Sequence, residues 1–320
     1  MSSYRFCRTD DVGLLVDALN RCWSPYFDGD PPMTPAAFKH TIRDLQIWCS
    51  SCMVAFSGPD PIGVLIGGKR SSGTLVHKIA VHPDHRRQGH GRHLLDSLAS
   101  KLAILGPPRM IAEVSETLAE ACGLFSASGY VEESHLTDYV CERDENDLAV
   151  EKRPRPARVE GFVIPVTVDD LAANDLLGTV DRQVCWERSV ETLTARKDEI
   201  AGLGVASDEQ IEAYVLYAER GDDPPTFAPS SQRELRRDLA GALAEAGGTE
   251  ILALRSLVED GGARLAQLLS QLRSRVTGTL RFAKVHSAEI SKEWLESLGF
   301  SATGGHRLYA TTARSDLSGR

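Results

Sequence analysis

The feature that most limits the fold of this 320-residue chain is an internal repeat. The hydrophobic and polar patterns of the first half recur in the second half in the same order, and residues 92–114 match residues 263–285 without a gap. Repeat units of this length indicate duplication of a domain, because the units of solenoid proteins span only about 20–50 residues. We therefore expect two α/β domains of one fold.

The two copies are separated by a charged segment that contains prolines. The stretch "ERDENDLAVEKRPRPARVEG" has no hydrophobic periodicity and is typical of an exposed linker. We predict one domain over residues 1–148, a linker over residues 149–160 and a second domain over residues 161–320. In the first domain, "CMVAF" and "IGVLIGG" flank Gly58-Pro59-Asp60-Pro61, a strong signal for a turn between two strands.

The composition excludes several classes of protein. The chain is 42% hydrophobic and 25% charged, as expected of a soluble globular protein. Its net charge of −9 argues against nucleic acid as a partner. The chain start lacks the apolar region of a signal peptide and no stretch is long enough to span a membrane, so a cytoplasmic location is expected. Seven cysteines at irregular spacing predict reduced thiols, and the lone pair Cys49 and Cys52 lacks the second pair of a metal site.

One stretch, "VHKIAVHPDHRRQGHGRHLLDSL" at residues 76–98, joins a predicted strand to a predicted helix almost without a loop. Leucines from Leu94 onward recur at helical spacing, so one face of the helix is apolar. Its start holds Gly89 and Gly91 among cationic side chains. Free N–H groups at a helix start bind anions, and glycine lets a phosphate approach the backbone closely. An anion site is expected here; the alternative is that the glycines only form a tight turn.

The pattern Arg86-x-x-Gly89-x-Gly91, after the strand Ile79-Ala80-Val81-His82-Pro83, resembles the acetyl-CoA signature of the GCN5-related N-acetyltransferase (GNAT) family. The order of elements in the first half is similar to that family, and "LFSASGY" resembles the end of a later family helix. The resemblance implies an α/β fold with two tandem GNAT-like domains. Each domain would have a mixed, mostly antiparallel central sheet flanked by helices.

The resemblance also implies acetyl-CoA as the acyl donor. In such a site the strand backbone pairs with the pantetheine arm as another strand would, and the N–H groups at the helix start hold the pyrophosphate. The cofactor-binding residues implied are Ile79, Ala80, Val81, Arg86, Arg87, Gln88, Gly89, His90, Gly91 and Arg92.

The implied activity is N-acetyl transfer to a primary amine by direct attack in a ternary complex. Many family members place a glutamate base two residues before "LAV", where this chain has His77. Histidine titrates near neutral pH and can act as a base; the alternative is an ordinary half-buried strand residue. Glu113 on the next strand is the rival base, and its alternative is a solvated carboxylate.

One departure from the family pattern leaves the general acid unidentified. A tyrosine on the last helix often protonates the leaving thiolate in the family, but this chain has Phe125 there. Tyr139 on a terminal strand is a candidate substitute, or an ordinary strand aromatic. The missing tyrosine favours a competing hypothesis, a non-catalytic acyl-CoA-binding or scaffold protein on the same fold.

The second half lacks the cofactor signature. The gap-free match sets residues 86–91 against residues 257–262, so that the carboxylates of Glu259 and Asp260 stand where phosphate would bind. Like charges at such distances repel by about 4 kcal/mol. Leu295 stands at the tyrosine position. We interpret this half as a degenerate copy that covers the active half, completes its substrate pocket or forms the contacts of a homodimer.

The acceptor amine is the least constrained part. In the family, the segment after the first helix lines the acceptor site; here it is "CWSPYFDGDPPMT", where Tyr26 and Asp28 are candidates for contacting a cationic amine. The alternative is a rigid loop packed by its own aromatic residues. A small-molecule amine and a peptide amine both stay open. No metal is expected, because the four histidines between His82 and His93 have no carboxylate or cysteine partners.

Overall fold

The computed structural model describes residues 2–27, 31–142, 161–178, 184–219, 248–276 and 278–313. The predicted linker at residues 149–160 lies outside the described residues. The described residues divide into two compact units: residues 2–135 with residues 305–313, and residues 136–304. The division of the chain into domains over residues 1–148 and 161–320 stays a prediction. Within the described ranges, no helix is both long enough and apolar enough to cross a membrane.

Twelve strands and eight helices are described here in chain order. The strands are β1 (Ser2–Phe6), β2 (Met53–Ser57), β3 (Asp60–Lys69), β4 (Thr74–Val81), β5 (Arg109–Ser115), β6 (Val131–Cys141), β7 (Phe162–Pro165), β8 (Ala201–Ala206), β9 (Ile211–Glu219), β10 (Thr249–Ser256), β11 (Leu280–His286) and β12 (Ser301–Thr312). The helices are α1 (Val12–Cys22), α2 (Pro35–Leu45), α3 (His90–Leu105), α4 (Ala119–Ala127), α5 (Val168–Ala173), α6 (Val190–Ala195), α7 (Ala263–Arg275) and α8 (Lys292–Ser297).

Each unit is built on one mixed sheet. In the first unit the strand order is β1-β2-β3-β4-β5-β12, and every pair is antiparallel except β4 with β5. In the second unit the order is β7-β8-β9-β10-β11-β6, and only β10 with β11 is parallel. The predicted fold, with two copies of a mostly antiparallel sheet flanked by helices, is confirmed.

A leucine-rich helix covers one face of each sheet. The leucines at helical spacing in α3, which include Leu94, Leu95 and Leu98, are buried with residues of β2 to β5. In the second unit Leu268, Leu269 and other leucines of α7 occupy the same place. Burial of each such side chain contributes about 1.5–3 kcal/mol, so these helices hold the strand-to-helix turns in position.

The last strand of each sheet comes from the other half of the sequence. Residues 306–312 of β12 pair with β5 in the first unit, and residues 136–141 of β6 pair with β11 in the second. Tyr139 is therefore opposite Phe282 in the second unit, where burial raises its pKa. Its suggested role as a substitute acid in the first unit was wrong, because the strand that contains it belongs to the other sheet.

Candidate active site

A gap opens in the sheet of the first unit between β4 and β5. These parallel strands are paired only at Thr74 with Met110 and at Leu75 with Ile111, and they separate beyond those pairs. On the other edge of β4, a register shift against β3 leaves His77 as an extra residue, which is a β-bulge. The free edge of β4 beyond the bulge faces the gap.

The start of α3 provides unpaired backbone donors just past the end of β4. Gly89 precedes the helix with φ 86° and Arg87 has φ 58°; the left-handed region suits glycine and is uncommon for other residues. The first N–H in a helical bond is that of His93, which donates to Gly89 O at 3.0 Å. Within the described ranges, the N–H groups of residues 87–92 have no acceptor. This arrangement can hold an anion.

Gly91 has a steric role as well. A Cβ at this position would lie 3.1 Å from a methyl group of Leu124 on α4 and 3.8 Å from Val81. The first of these distances is shorter than an ordinary van der Waals contact, so a larger residue would push α3 and α4 apart. Glycine here keeps the helix start close to the gap.

Three arginines lie near the helix start and differ in their contacts and exposure. Arg86 donates through Nε to Tyr26 Oη at 2.8 Å and pairs with Glu120 at 2.5 Å. Arg87 is 87% exposed and Arg92 lies 3.8 Å from Asp96. Sequence reasoning missed Glu120, because nothing near it in the sequence signals a contact with a residue 34 positions away.

The two candidate bases flank the gap from opposite sides. His77 is half-buried on β4 and Glu113 is half-buried on β5, each two positions beyond the last paired residue of its strand. Strand residues rise by about 3.3 Å each, so His77 lies about 13 Å along β4 from Val81. Both side chains therefore lie near the end of the gap where β4 and β5 are still paired, and the anion site lies at the opposite end.

The predicted acceptor segment is only partly described. Tyr26 ends a 3₁₀ turn at Ser24–Tyr26, whereas Asp28 lies outside the described residues. Trp23 and Phe27 have ring centroids 4.7 Å apart, and the buried Lys78 of β4 places its Nζ 4.1 Å from the Trp23 ring centroid. Sequence reasoning missed Lys78. Side chains alternate between the two faces of a strand, so Lys78 lies on the opposite face of β4 from Ile79.

Phe125 is part of the core. Its side chain is 2% exposed, and its ring lies 5.0 Å from Tyr130 and 5.9 Å from Tyr309 of β12. A phenyl ring has no proton to donate, and this environment explains why an apolar residue is stable at the position. The described residues therefore leave the general acid unassigned at α4.

His90 differs from its neighbours at the helix start. Its side chain is 6% exposed and its Nδ1 lies 2.6 Å from Tyr4 Oη. Burial lowers the pKa of His90, and His85 and His93 act in the same direction. The side chain is therefore neutral at pH 7 and adds no positive charge to the helix start; only its backbone N–H faces the anion site.

The second unit repeats the glycine before the helix, but a carboxylate of the chain occupies its helix start. The glycine before α7 is Gly262, with φ 85°, so it corresponds to Gly89, and the gap-free match is displaced by two residues there. Asp260 accepts hydrogen bonds from the N–H groups of Gly262 and Arg264, both at 2.9 Å, and from the Arg264 guanidinium at 3.1 Å. The donors that would hold an anion thus hold the protein's own carboxylate.

Further features also distinguish the second unit from the candidate site of the first unit. Burial would raise the pKa of Asp260, but the hydrogen bonds from Arg264 and Gly262 outweigh it and keep the pKa below its usual range. The Trp294 indole lies against Gly262 where a Cβ would be. The bulge of β10 leaves Leu252 as its extra residue, at the place that His77 takes in β4. Leu295 is fully buried and, like Phe125, has no proton to donate.

Comparison with known proteins agrees with this geometry. The model of the Acetyltransferase (GNAT) family matches residues 15–130. A search of curated proteins found no significant match. Among solved structures, a tandem GNAT protein from the clavulanic acid biosynthesis pathway, without acetyl-CoA, has a TM-score of 0.62 and 17% identity over 99% of this chain and 100% of that one.

Two further structures have the same fold. A GCN5-related N-acetyltransferase from Sphaerobacter thermophilus gives a TM-score of 0.60 with 14% identity, over 99% of this chain and 97% of that one. The glucosamine N-acetyltransferase region of a fungal multi-domain β-N-acetylglucosaminidase gives 0.66 with 12% identity, over 97% of this chain and 38% of that one. Residues 15–130 therefore match the Acetyltransferase (GNAT) family, and the chain has the fold of a tandem GNAT protein.

Proposed function

We propose that this protein is an acetyl-CoA-dependent N-acyltransferase whose chemistry takes place in the first unit. The observation that supports this most is the contrast at the two helix starts. The N–H groups of residues 87–92 have no acceptor among the described residues, whereas at α7 the N–H groups of Gly262 and Arg264 donate to the Asp260 carboxylate. The second unit is then a degenerate copy that binds no acyl-CoA.

The residues of the first unit suit acyl-CoA. The N–H groups at the start of α3, with Arg86 and Arg87 beside them, would hold the pyrophosphate, and the free edge of β4 at Ile79 and Val81 would pair with the pantetheine arm. Bound there, acetyl-CoA supplies an acetyl group on a thioester. A backbone N–H on the gap edge of β4 would polarise the carbonyl oxygen.

His77 would act as the base of the reaction. The amine nitrogen attacks the thioester carbonyl carbon, the carbon–sulfur bond breaks, and the amine proton passes to the His77 imidazole. The thiolate of coenzyme A leaves and takes a proton from solvent or from the imidazolium. Direct transfer is favoured because burial raises the pKa of Cys7 to about 12 and of Cys22 to about 11, so neither thiol is a nucleophile at neutral pH.

The remaining parts of the proposal concern the surroundings of the reaction. The acceptor is a small-molecule or peptide amine that enters from the side of Tyr26 and Trp23, and the protein acts in the cytoplasm. A non-catalytic acyl-CoA-binding protein is the second candidate, because Phe125 leaves α4 without a proton donor. Release of free coenzyme A thiol across a panel of amines separates the two: binding without turnover of any amine supports the second.

Thermal unfolding with and without acetyl-CoA tests the site itself. Ligand at a hundred times its Kd should stabilise the native chain by about 2.7 kcal/mol, and Gly89→Asp should abolish that effect. Gly58→Asp is the matched control, because Gly58 also has positive φ and open space around it but lies in the β2–β3 turn. An equal shift in all three proteins, or none in the native chain, would reject this cofactor site.

A further inference from the structure

The edge of β4 that faces the gap ends at Val81. The N–H of His82 donates to Ile62 O of β3 at 2.9 Å. Because the N–H and C=O groups of successive strand residues point to opposite sides, those of Val81 point away from β3, toward the gap. The Val81 carbonyl is therefore an acceptor available to any extended ligand that lies between β4 and β5.

A side chain of the protein already uses that carbonyl. The Tyr26 hydroxyl donates to Val81 O. Burial raises the pKa of the Tyr26 phenol, against the opposing effect of Arg86, so the hydroxyl keeps its proton at neutral pH and can donate. Tyr26 thus takes the hydrogen-bonding position that an amide of a bound pantetheine arm would need.

The same hydrogen-bond network includes Arg86, a cation of the anion site. Arg86 Nε donates to Tyr26 Oη at 2.8 Å, and the guanidinium carbon lies 4.6 Å from the Tyr26 ring centroid. The other end of the guanidinium pairs with Glu120 of α4 at 2.5 Å, and Arg87 lies 3.9 Å from the same carboxylate. A phosphate group must compete with Glu120 for Arg86.

We propose that Tyr26, Arg86 and Glu120 form a latch across the cofactor gap of the free protein, which acyl-CoA opens when it binds. The inference rests on the proposed function. Opening frees the Tyr26 hydroxyl, which lies in the segment predicted to contact the acceptor.

Calorimetric titration of the full chain with coenzyme A tests the latch without any reaction. Removal of the competing donor in Tyr26→Phe should tighten binding about fivefold, the usual net effect of one hydrogen bond, and Glu120→Gln should tighten it by a similar factor. Because Tyr26 and Glu120 both contact Arg86, the double variant should gain less than the product of the two factors. Tyr130→Phe and Glu132→Gln are matched controls: Tyr130 Oη contacts only Met110 S, and Glu132 pairs with Arg307. Both should bind as the native chain does.

The outcomes separate the latch from the proposed function. Unchanged or weaker binding by Tyr26→Phe, or full additivity in the double variant, overturns the latch while native binding keeps the cofactor site. No binding by the native chain or by any variant overturns the proposed function. Binding only after the latch is removed supports both. Glu120 is 59% exposed, so its variant should fold even if the Tyr26 variant does not.

Discussion

The starts of α3 and α7 share a left-handed glycine just before the helix but differ in what their backbone donors contact. Both helices follow a glycine in the left-handed region, with φ 86° at Gly89 and 85° at Gly262. Arg87 precedes the first glycine by two residues, and Asp260 precedes the second by two. The comparison shows that the geometry of an anion site is set by the glycine and the helix. The residue two positions before that glycine then decides whether backbone donors at the helix start are bonded to the chain's own carboxylate.

The largest effect is expected on the affinity for acetyl-CoA, when the first unit is given the aspartate of the second unit. Arg87→Asp places a carboxylate where Asp260 stands, and repulsion of the pyrophosphate should cost about 4 kcal/mol, roughly a thousandfold in Kd for acetyl-CoA. Arg87→Asn is the control, since it removes the cation without adding an anion and tolerates positive φ equally well. Calorimetric affinities of the two variants within tenfold of each other would contradict the comparison.

The next largest effect concerns the bulges of β4 and β10. His77→Leu copies Leu252 and removes the proposed base, so kcat should fall about a hundredfold or more while the Kd of acetyl-CoA changes less than twofold. Steady-state kinetics and calorimetry on one preparation measure both quantities. Glu113→Gln tests the other candidate base in the same way. If it loses the activity and His77→Leu keeps more than a tenth of kcat, the base is Glu113.

The sequence predicted the repeated elements and the anion site because both depend on local patterns. Leucine spacing defined α3, and the glycines defined its start. The exchange of β6 and β12 could not be predicted, since strand pairing depends on distant residues and either half offers a suitable edge. The gap-free match is displaced by two residues at the helix starts. The reason is that α7 has 13 residues and α3 has 16, so residues matched by sequence spacing do not take equivalent places in the fold.

The site was predictable as far as its backbone. Gly89 and Gly91 predict a backbone that a ligand can approach closely. The contacts of Arg86 with Tyr26 and Glu120 join residues 60 and 34 positions apart, and no pattern of spacing encodes them. Asp260 was recognised as a charge opposed to phosphate, but its bonds to Gly262 and Arg264 required coordinates.

A smaller effect is expected from opening the second site. Asp260→Ala removes the acceptor for two backbone donors and part of the Arg264 guanidinium, and should lower the free energy of unfolding by about 2 kcal/mol. It should not create acetyl-CoA binding, because Trp294 still lies against Gly262. Urea unfolding measures the loss, with Asp208→Ala on an exposed turn as control. A loss equal to that of the control would mean that the carboxylate does not stabilise the helix start.

The smallest effect concerns the buried histidine of α3, which α7 replaces with Ala263. His90 is bonded through Nδ1 to Tyr4 Oη, and its Nε2 is buried without an acceptor in the described part of the chain. Tyr4, His85 and His93 surround it. Because its pKa is lowered in the folded state, its stabilising contribution is present above about pH 6.5 and is lost as pH falls through the lowered pKa.

The free energy of unfolding should fall between pH 7 and pH 5, because the unfolded chain takes up this proton more readily than the folded chain does. His90→Leu should remove this part of the pH dependence, and His40→Leu, at an exposed position of α2, should leave it intact. Urea unfolding at several pH values measures both. An unchanged acid-side slope in His90→Leu would assign the dependence to other groups and leave His90 as packing alone. A flattened slope would show that the first unit has a proton-sensitive residue beneath its anion site, at a place where the second unit has none.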